Sequence, residues 1–140
     1  MLRVQMQEDH FSTLDICSVD LKNACVRLVK AGGIKSFIRH RGFVEQVGEH
    51  TLPLGLIGEE QIEMHERFLE SGDMVILLSD GILHDWNGGD CMTQLQEVIM
   101  QSEVFTPQEL ANRILRCAIT QSHGNIRDDM TVMVLGIWKK

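Results

Sequence analysis

Residues 74–79 read Met-Val-Ile-Leu-Leu-Ser, apolar at five consecutive positions, and run directly into Asp80-Gly81. Successive side chains of a strand point to opposite faces of its sheet, so an unbroken apolar run reads as a strand buried on both faces. Asp80 then falls at the rim of a core, where an ionised carboxylate loses several kcal/mol of hydration unless a cation or hydrogen bonds offset it. A bound metal is the largest local charge that could do so. A second acidic pair stands in Arg127-Asp128-Asp129-Met130-Thr131, just ahead of a last strand. Two such carboxylates brought together make a hard-oxygen site suited to Mg²⁺ or Mn²⁺.

The rest of the chain supplies the scaffold. Residues 12–20, 25–31 and 34–40 read as consecutive strands of an antiparallel meander, with turns at Leu21-Lys22-Asn23 and Gly32-Gly33. Arg41-Gly42 turns into a strand over 43–47. Gly48, Pro53, Gly55 and Gly58 then mark a loop whose Leu52, Leu54, Leu56 and Ile57 pack it down. Residues 61–68 alternate as a strand, and Glu70-Ser71-Gly72-Asp73 turns the chain into the buried run. Two helices follow. The first, over 91–102, places Met92, Leu95 and Ile99 on one face with Val98 beside them. The second opens on Thr106-Pro107-Gln108-Glu109, a capping box with proline at the first helical position, and carries Leu110, Ile114 and Ala118 in a stripe until Gly124 ends it. Residues 130–138 return as a strand. Strands early and helices late predict an α+β architecture, with helices on one face of antiparallel sheet.

Composition removes several function classes. The 140 residues, 44% hydrophobic, suffice for one core, so residues 1–140 are expected to be a single unit or a large part of a bigger domain. A net charge of -7 without a Lys/Arg cluster argues against binding nucleic acid, which needs a basic face to displace counterions. Cys17, Cys25, Cys91 and Cys117 lack C-x-x-C spacing, which fits reduced thiols in the cytoplasm. The six histidines, His10, His40, His50, His65, His84 and His123, lack zinc-site spacing and read as solvated or structural. No stretch approaches the roughly 20 apolar residues that cross a bilayer, so no membrane contact is expected of this segment, although a parent protein could be anchored elsewhere.

Each motif also has a plain reading. Asp-Gly is a common turn dipeptide, paired acids before a strand are often solvated, and two glycines can serve a hairpin. The combination carries the weight. Phe11-Ser12-Thr13-Leu14-Asp15, Lys30-Ala31-Gly32-Gly33, Pro53-Leu54-Gly55, Gly72-Asp73 leading into Ser79-Asp80-Gly81-Ile82, and Asp128-Asp129-Met130-Thr131 occur in that order. Together they resemble the C-terminal half of the bacterial protein phosphatase 2C-like domain, and within it the stage II sporulation protein E phosphatase family. The resemblance covers residues 11–137.

What the resemblance implies is a metal-dependent serine/threonine phosphatase, part of a β-sandwich of mainly antiparallel sheets with helices packed outside. Two Mn²⁺ or Mg²⁺ ions in the complete domain would activate water toward phosphorus on a phosphorylated protein, in relatives an anti-sigma factor antagonist of sporulation or stress signalling. Asp80 and Asp128 match the family's two later metal ligands, and Asp129 the position beside them. His84 and Asp85 fall where relatives place an acidic residue one position earlier. The family also carries an earlier strand ending in Asp-Gly, whose aspartate bridges the metals, and none precedes Phe11 here. Leu2, Val4 and Met6 look like the tail of an element cut away. A truncated domain is therefore expected, inactive or nearly so alone and able to self-associate through uncovered faces and edges. The rival reading is a non-catalytic interaction module that keeps the fold, with the aspartates as turn formers.

Overall fold

The structure, a computed structural model, describes residues 12–49, 62–86, 89–103 and 106–140. In chain order its elements are strands β1 (Leu14–Asp20), β2 (Cys25–Ala31), β3 (Ser36–Arg39), β4 (Val44–Val47), β5 (Ile62–Phe68) and β6 (Met74–Leu78), helices α1 (Gly81–His84), α2 (Cys91–Gln101) and α3 (Pro107–Gln121), and strand β7 (Val132–Gly136). They fall into two compact units, one drawn from residues 1–34 and 48–68, the other from residues 35–47 and 69–140. The expected α+β class is the one found, with antiparallel pairing throughout the described strands. The loop that holds Leu52, Leu54, Leu56 and Ile57, and the segment with Leu2, Val4 and Met6, lie outside the described residues.

The first unit is a three-stranded sheet in the order β1-β2-β5. The expected meander therefore stops after β2: β3 belongs to the other sheet, and β2 takes β5 as its second neighbour. The reason lies at Gly32 and Gly33, with φ of 76° and 82°. Two successive left-handed residues, a conformation glycine adopts without a Cβ clash, steer the chain out of the sheet instead of closing a hairpin. Alternation then sorts the side chains. Val26, Leu28 and Lys30 share one buried face, while Leu14, Ile16, Ile62, Met64 and Phe68 stand exposed on the other.

A row of charge crosses the buried face. Asp15, Lys30 and Glu63 are direct cross-strand neighbours, and Lys30, only 2% exposed, holds Asp15 Oδ2 at 2.7 Å from its Nζ. A buried ammonium without such partners would be several kcal/mol unfavourable, so the row fixes which residues may face one another. Glu63 Oε2 in turn lies 2.7 Å from His65 Nε2 and accepts the Glu49 N–H at 3.1 Å.

The second unit is a four-stranded sheet in the order β4-β3-β6-β7 with helices against it. β6 is the buried strand the apolar run predicts, with Val75 and Ile76 at 1% and 0% exposure. α2 packs on β3 and β4 through Leu95 and Ile99, and α3 packs on β7 and α2 with Leu110, Ile114 and Ala118 buried. The α3 capping box forms as its sequence predicts: Thr106 Oγ1 accepts the Glu109 N–H, and Glu109 Oε2 accepts the Thr106 N–H. Such a cap contributes about 1 kcal/mol to the helix start. Asp73, 3% exposed, closes the turn into β6 by accepting the Glu70 N–H at 2.9 Å and lying 2.9 Å from His40 Nδ1. His40 and His65 are thus structural, as expected of scattered histidines.

Burial raises the Glu63 carboxyl, but the His65 hydrogen bond, the Glu49 N–H and the Lys30 charge outweigh it and hold the group below the usual carboxylate range. Its stabilising contribution is therefore fully present above the unfolded value of about 4.3 and is lost as pH falls through the lower folded value. Urea unfolding across pH 2–6, where ~4 marks the expected onset of loss, should show a shallower acid limb for Glu63→Gln than for the wild type. Superimposable limbs would mean that these partners do not hold the carboxylate.

Candidate metal centre

β6 and β7 run antiparallel in the register Leu78 opposite Val132. The residues that follow β6 are therefore beside those that precede β7. Ser79 secures the junction. Its N–H donates to Thr131 O at 3.0 Å, its Oγ donates to Asp129 O at 3.1 Å, and the same Oγ accepts the Thr131 N–H at 2.8 Å. Asp80 follows at once as the N-cap of α1, and its carbonyl accepts the Leu83 N–H. Gly81 has no side chain because none fits: a Cβ there would overlap the Asp129 carbonyl oxygen and lie 2.9 Å from its carbon. The backbone thus brings the Asp80 and Asp128-Asp129 segments into contact. Asp128 Oδ1 accepts the Asp129 N–H at 2.8 Å, which ties that carboxylate to its own loop.

Asp80 differs from its expected setting in one respect. It is exposed, and so are Asp128 and Asp129. The strand ends at Leu78, and two further residues carry the chain beyond the core before the helix begins. A desolvated carboxylate in need of a counter-charge is therefore not what marks the place. What marks it is the juxtaposition of two acidic segments on a rigid strand pair, which positions donors more accurately than a loop does.

Asp85 lies at the C-cap of α1 with its side chain 15% exposed. Its Oδ1 is 3.6 Å from Arg127 Nε and 3.4 Å from His84 Nδ1, while its buried Oδ2 has no hydrogen-bond partner. Arg127 directly precedes Asp128, so this contact ties the far end of α1 to the same acidic loop. The short helix itself was not evident in the sequence, nor were the roles of Ser79, Gly81 and Arg127. Ser79-Asp80-Gly81 carried the signal for the first two, since a serine beside an exposed aspartate can bond neighbouring backbone.

As a metal site the arrangement is chemically apt and numerically short. Carboxylate oxygens are the donors that Mg²⁺ and Mn²⁺ take. Among the described residues, however, no group of three or more His, Cys, Asp or Glu side chains is placed to hold an ion. The chain's own residues fit as part of a ligand set.

Comparison with known proteins settles the family. The model of the stage II sporulation protein E family matches residues 1–138. The chain belongs to that family. Stage II sporulation protein E of Bacillus subtilis (strain 168) is 33% identical over 98% of this chain, which spans only 17% of that protein's length. A solved structure of the protein phosphatase 2C domain and a fragment of the regulatory domain of the Bacillus subtilis protein superimposes with a TM-score of 0.85 at 31% identity, covering 97% of this chain and 41% of that one. The phosphatase domain of the same protein, in a manganese-presoaked form, gives 0.83 at 28% identity and covers 99% of this chain and 62% of that one. The protein phosphatase 2C fold expected from the motifs is therefore the fold of this chain.

Ser79 and Gly81 should be separable by stability. Ser79→Ala removes both of the bonds its hydroxyl makes and is expected to cost about 1–2 kcal/mol. Gly81→Ala places a methyl against backbone that cannot yield and is expected to cost about 1–3 kcal/mol. Urea midpoints would check both, and a Gly81→Ala midpoint equal to the wild type would show that the two acidic segments are further apart than described.

Proposed function

We propose that this chain supplies Asp80 and Asp128, with Asp129 beside them, as metal ligands of a phosphoserine/phosphothreonine phosphatase, and that the rest of the ligand set comes from a part of the domain outside these 140 residues. The observation that carries the reading is the Ser79 stitch, which sets two carboxylate-bearing segments side by side on one strand pair. Membership of the stage II sporulation protein E family supports it, and so does the fact that this chain spans 62% of a solved phosphatase domain of that family. Two divalent ions, Mn²⁺ or Mg²⁺, would when bound lower the pKa of a coordinated water and offset charge on phosphoryl oxygens. The chain's own share is positional. Asp80 and Asp128 would orient oxygen donors from a frame that has no need to rearrange, and Arg127, held by Asp85, would keep the acidic loop in place.

The substrate class is a phosphorylated partner protein, such as an anti-sigma factor antagonist in sporulation or stress signalling. Action in the cytoplasm fits the four thiols, all free. No helix among the described residues is long and apolar enough to cross a membrane. The exposed apolar face of the first unit, with Ile16, Met64 and Phe68, would be covered by the remaining part of the domain or by a second copy of the chain. The isolated chain would bind metal weakly and turn over little or no substrate.

Two measurements test this. In the longest natural protein that contains the chain, Asp80→Asn should lower Mn²⁺-dependent kcat/KM on a phosphoserine peptide by at least about 100-fold, equivalent to about 3 kcal/mol of transition-state stabilisation. Full Mn²⁺-dependent activity in that variant would remove Asp80 from the site. In the 140-residue chain, Mn²⁺ titration calorimetry should give weak heats that vanish in Asp80→Asn/Asp128→Asn. Equal heats from both folded proteins would instead favour the non-catalytic interaction module.

A further inference from the structure

The pairing that joins the acidic segments also joins the opposite ends of β6 and β7, where Met74 faces Gly136. That end of the second unit lies about 13 Å along the strand from Leu78, at ~3.3 Å per residue. It carries a groove of about 470 Å³ lined by Arg39, His40, Arg41, Ser71, Met100 and Trp138. A second groove, of about 410 Å³, adjoins it through Gly42 and Met100 and is lined by Phe43, Val44, Gln96 and Glu97. Basic and apolar ground therefore lie end to end on one surface.

Three features set this surface apart. Arg39 and Arg41 have no carboxylate partner among the described residues, in a chain with 20 acidic residues and a net charge of -7. Arg39 spends one N–H on Ser102 O at 2.6 Å and keeps the other donors of its guanidinium, and Arg41 is exposed. The nearby His40 is already engaged by Asp73 and Glu45, so those acids serve the histidine. Secondly, Phe43, Met100 and Trp138 are 57%, 42% and 56% exposed, an apolar grouping of the kind that marks contact surfaces. Thirdly, Trp138 is not loose. Its ring lies on the backbone of Gly136, where a Cβ would overlap it, and close to Pro107. Arginine and tryptophan are the residue types that dominate binding energy at protein interfaces, and methionine is enriched there.

We propose that this surface docks an extended segment of a partner protein, with acidic side chains toward Arg39 and Arg41 and an apolar side chain against Met100 and Phe43. Charge complementarity selects the acidic end. The openness of both grooves selects a chain segment over a small molecule, which needs a pocket that encloses most of its surface. Glu97, at the apolar end, disfavours acid there and so sets the direction in which the segment lies. The site is independent of the carboxylates at the other end of the sheet and of the phosphatase reading.

The test pans a random dodecapeptide display library on the immobilised chain, then titrates the strongest synthetic peptide by calorimetry and maps it by amide shift perturbation. Selected peptides should pair Asp or Glu with Leu, Phe or Trp a few residues away. Binding should fall at least tenfold in Arg41→Glu and in Met100→Ser, each checked for unchanged far-UV circular dichroism, and should weaken at high salt. Shifts should centre on residues 39–43, 71–72 and 138. Failure to enrich any peptide, enrichment of basic peptides, or binding indifferent to both substitutions would overturn the proposal. Shifts confined to Ile16, Met64 and their neighbours would do the same and place the binding on the exposed sheet face of the first unit.

Discussion

The antiparallel register of β6 against β7 is the constraint on which the second unit depends. Leu78 opposite Val132 and Met74 opposite Gly136 are the two ends of one ladder. The first places Asp80 beside Asp128-Asp129, and the second places Ser71-Gly72 beside Trp138. Neither neighbourhood is built by local sequence. Each is a by-product of five paired residues whose side chains are chosen for burial, since β6 is almost wholly enclosed and cannot shift without exposing Val75 or Ile76. Chemistry at the sheet ends thus inherits its accuracy from packing at the centre.

The first unit solves a different problem. Its buried face includes an ammonium group, and no hydrophobic argument explains Lys30 at 2% exposure. The row Asp15, Lys30, Glu63 does, because each strand contributes one charge at the same level of the sheet. A buried ion pair adds little net stability compared with an apolar pair of the same size, but it strongly penalises any pairing that leaves a charge alone. The row therefore acts as a registration mark for three strands, while Val26 and Leu28 supply the burial.

Much of this was legible because it is local. The apolar run of β6, the β2 span, the capping box at Thr106 and the stripe Leu110, Ile114 and Ala118 are periodic or positional signals that survive into the structure unchanged. What was not legible is what depends on non-local choice. Two glycines after β2 read as a hairpin, and only the pairing of Cys25 with Phe68 shows that the sheet continues elsewhere. The aspartates were legible as candidates by type and order, yet their exposure was not, because a carboxylate two residues past a strand clears the core or stays in it according to the turn that follows. Ser79 was visible as a residue but not as a fastener: its partners, Asp129 and Thr131, are 50 and 52 positions away.

That fastener bears on how the chain can go wrong. A strand displaced by two residues keeps every inward side chain inward, so alternation alone does not stop β7 from slipping along β6, and such a slip would carry Asp128 about 7 Å further along the ladder. The result would be a well-packed protein with its acids out of reach of each other, hard to tell from the native form by burial or helix content. Ser79 accepts and donates at one fixed pair of backbone groups and nowhere else along the ladder. Together with the Ser71 hydroxyl, which accepts the Lys139 N–H at 3.1 Å at the ladder's other end, it converts a sliding contact into an indexed one, so that two hydroxyls add a positional check to what packing alone leaves to alternation.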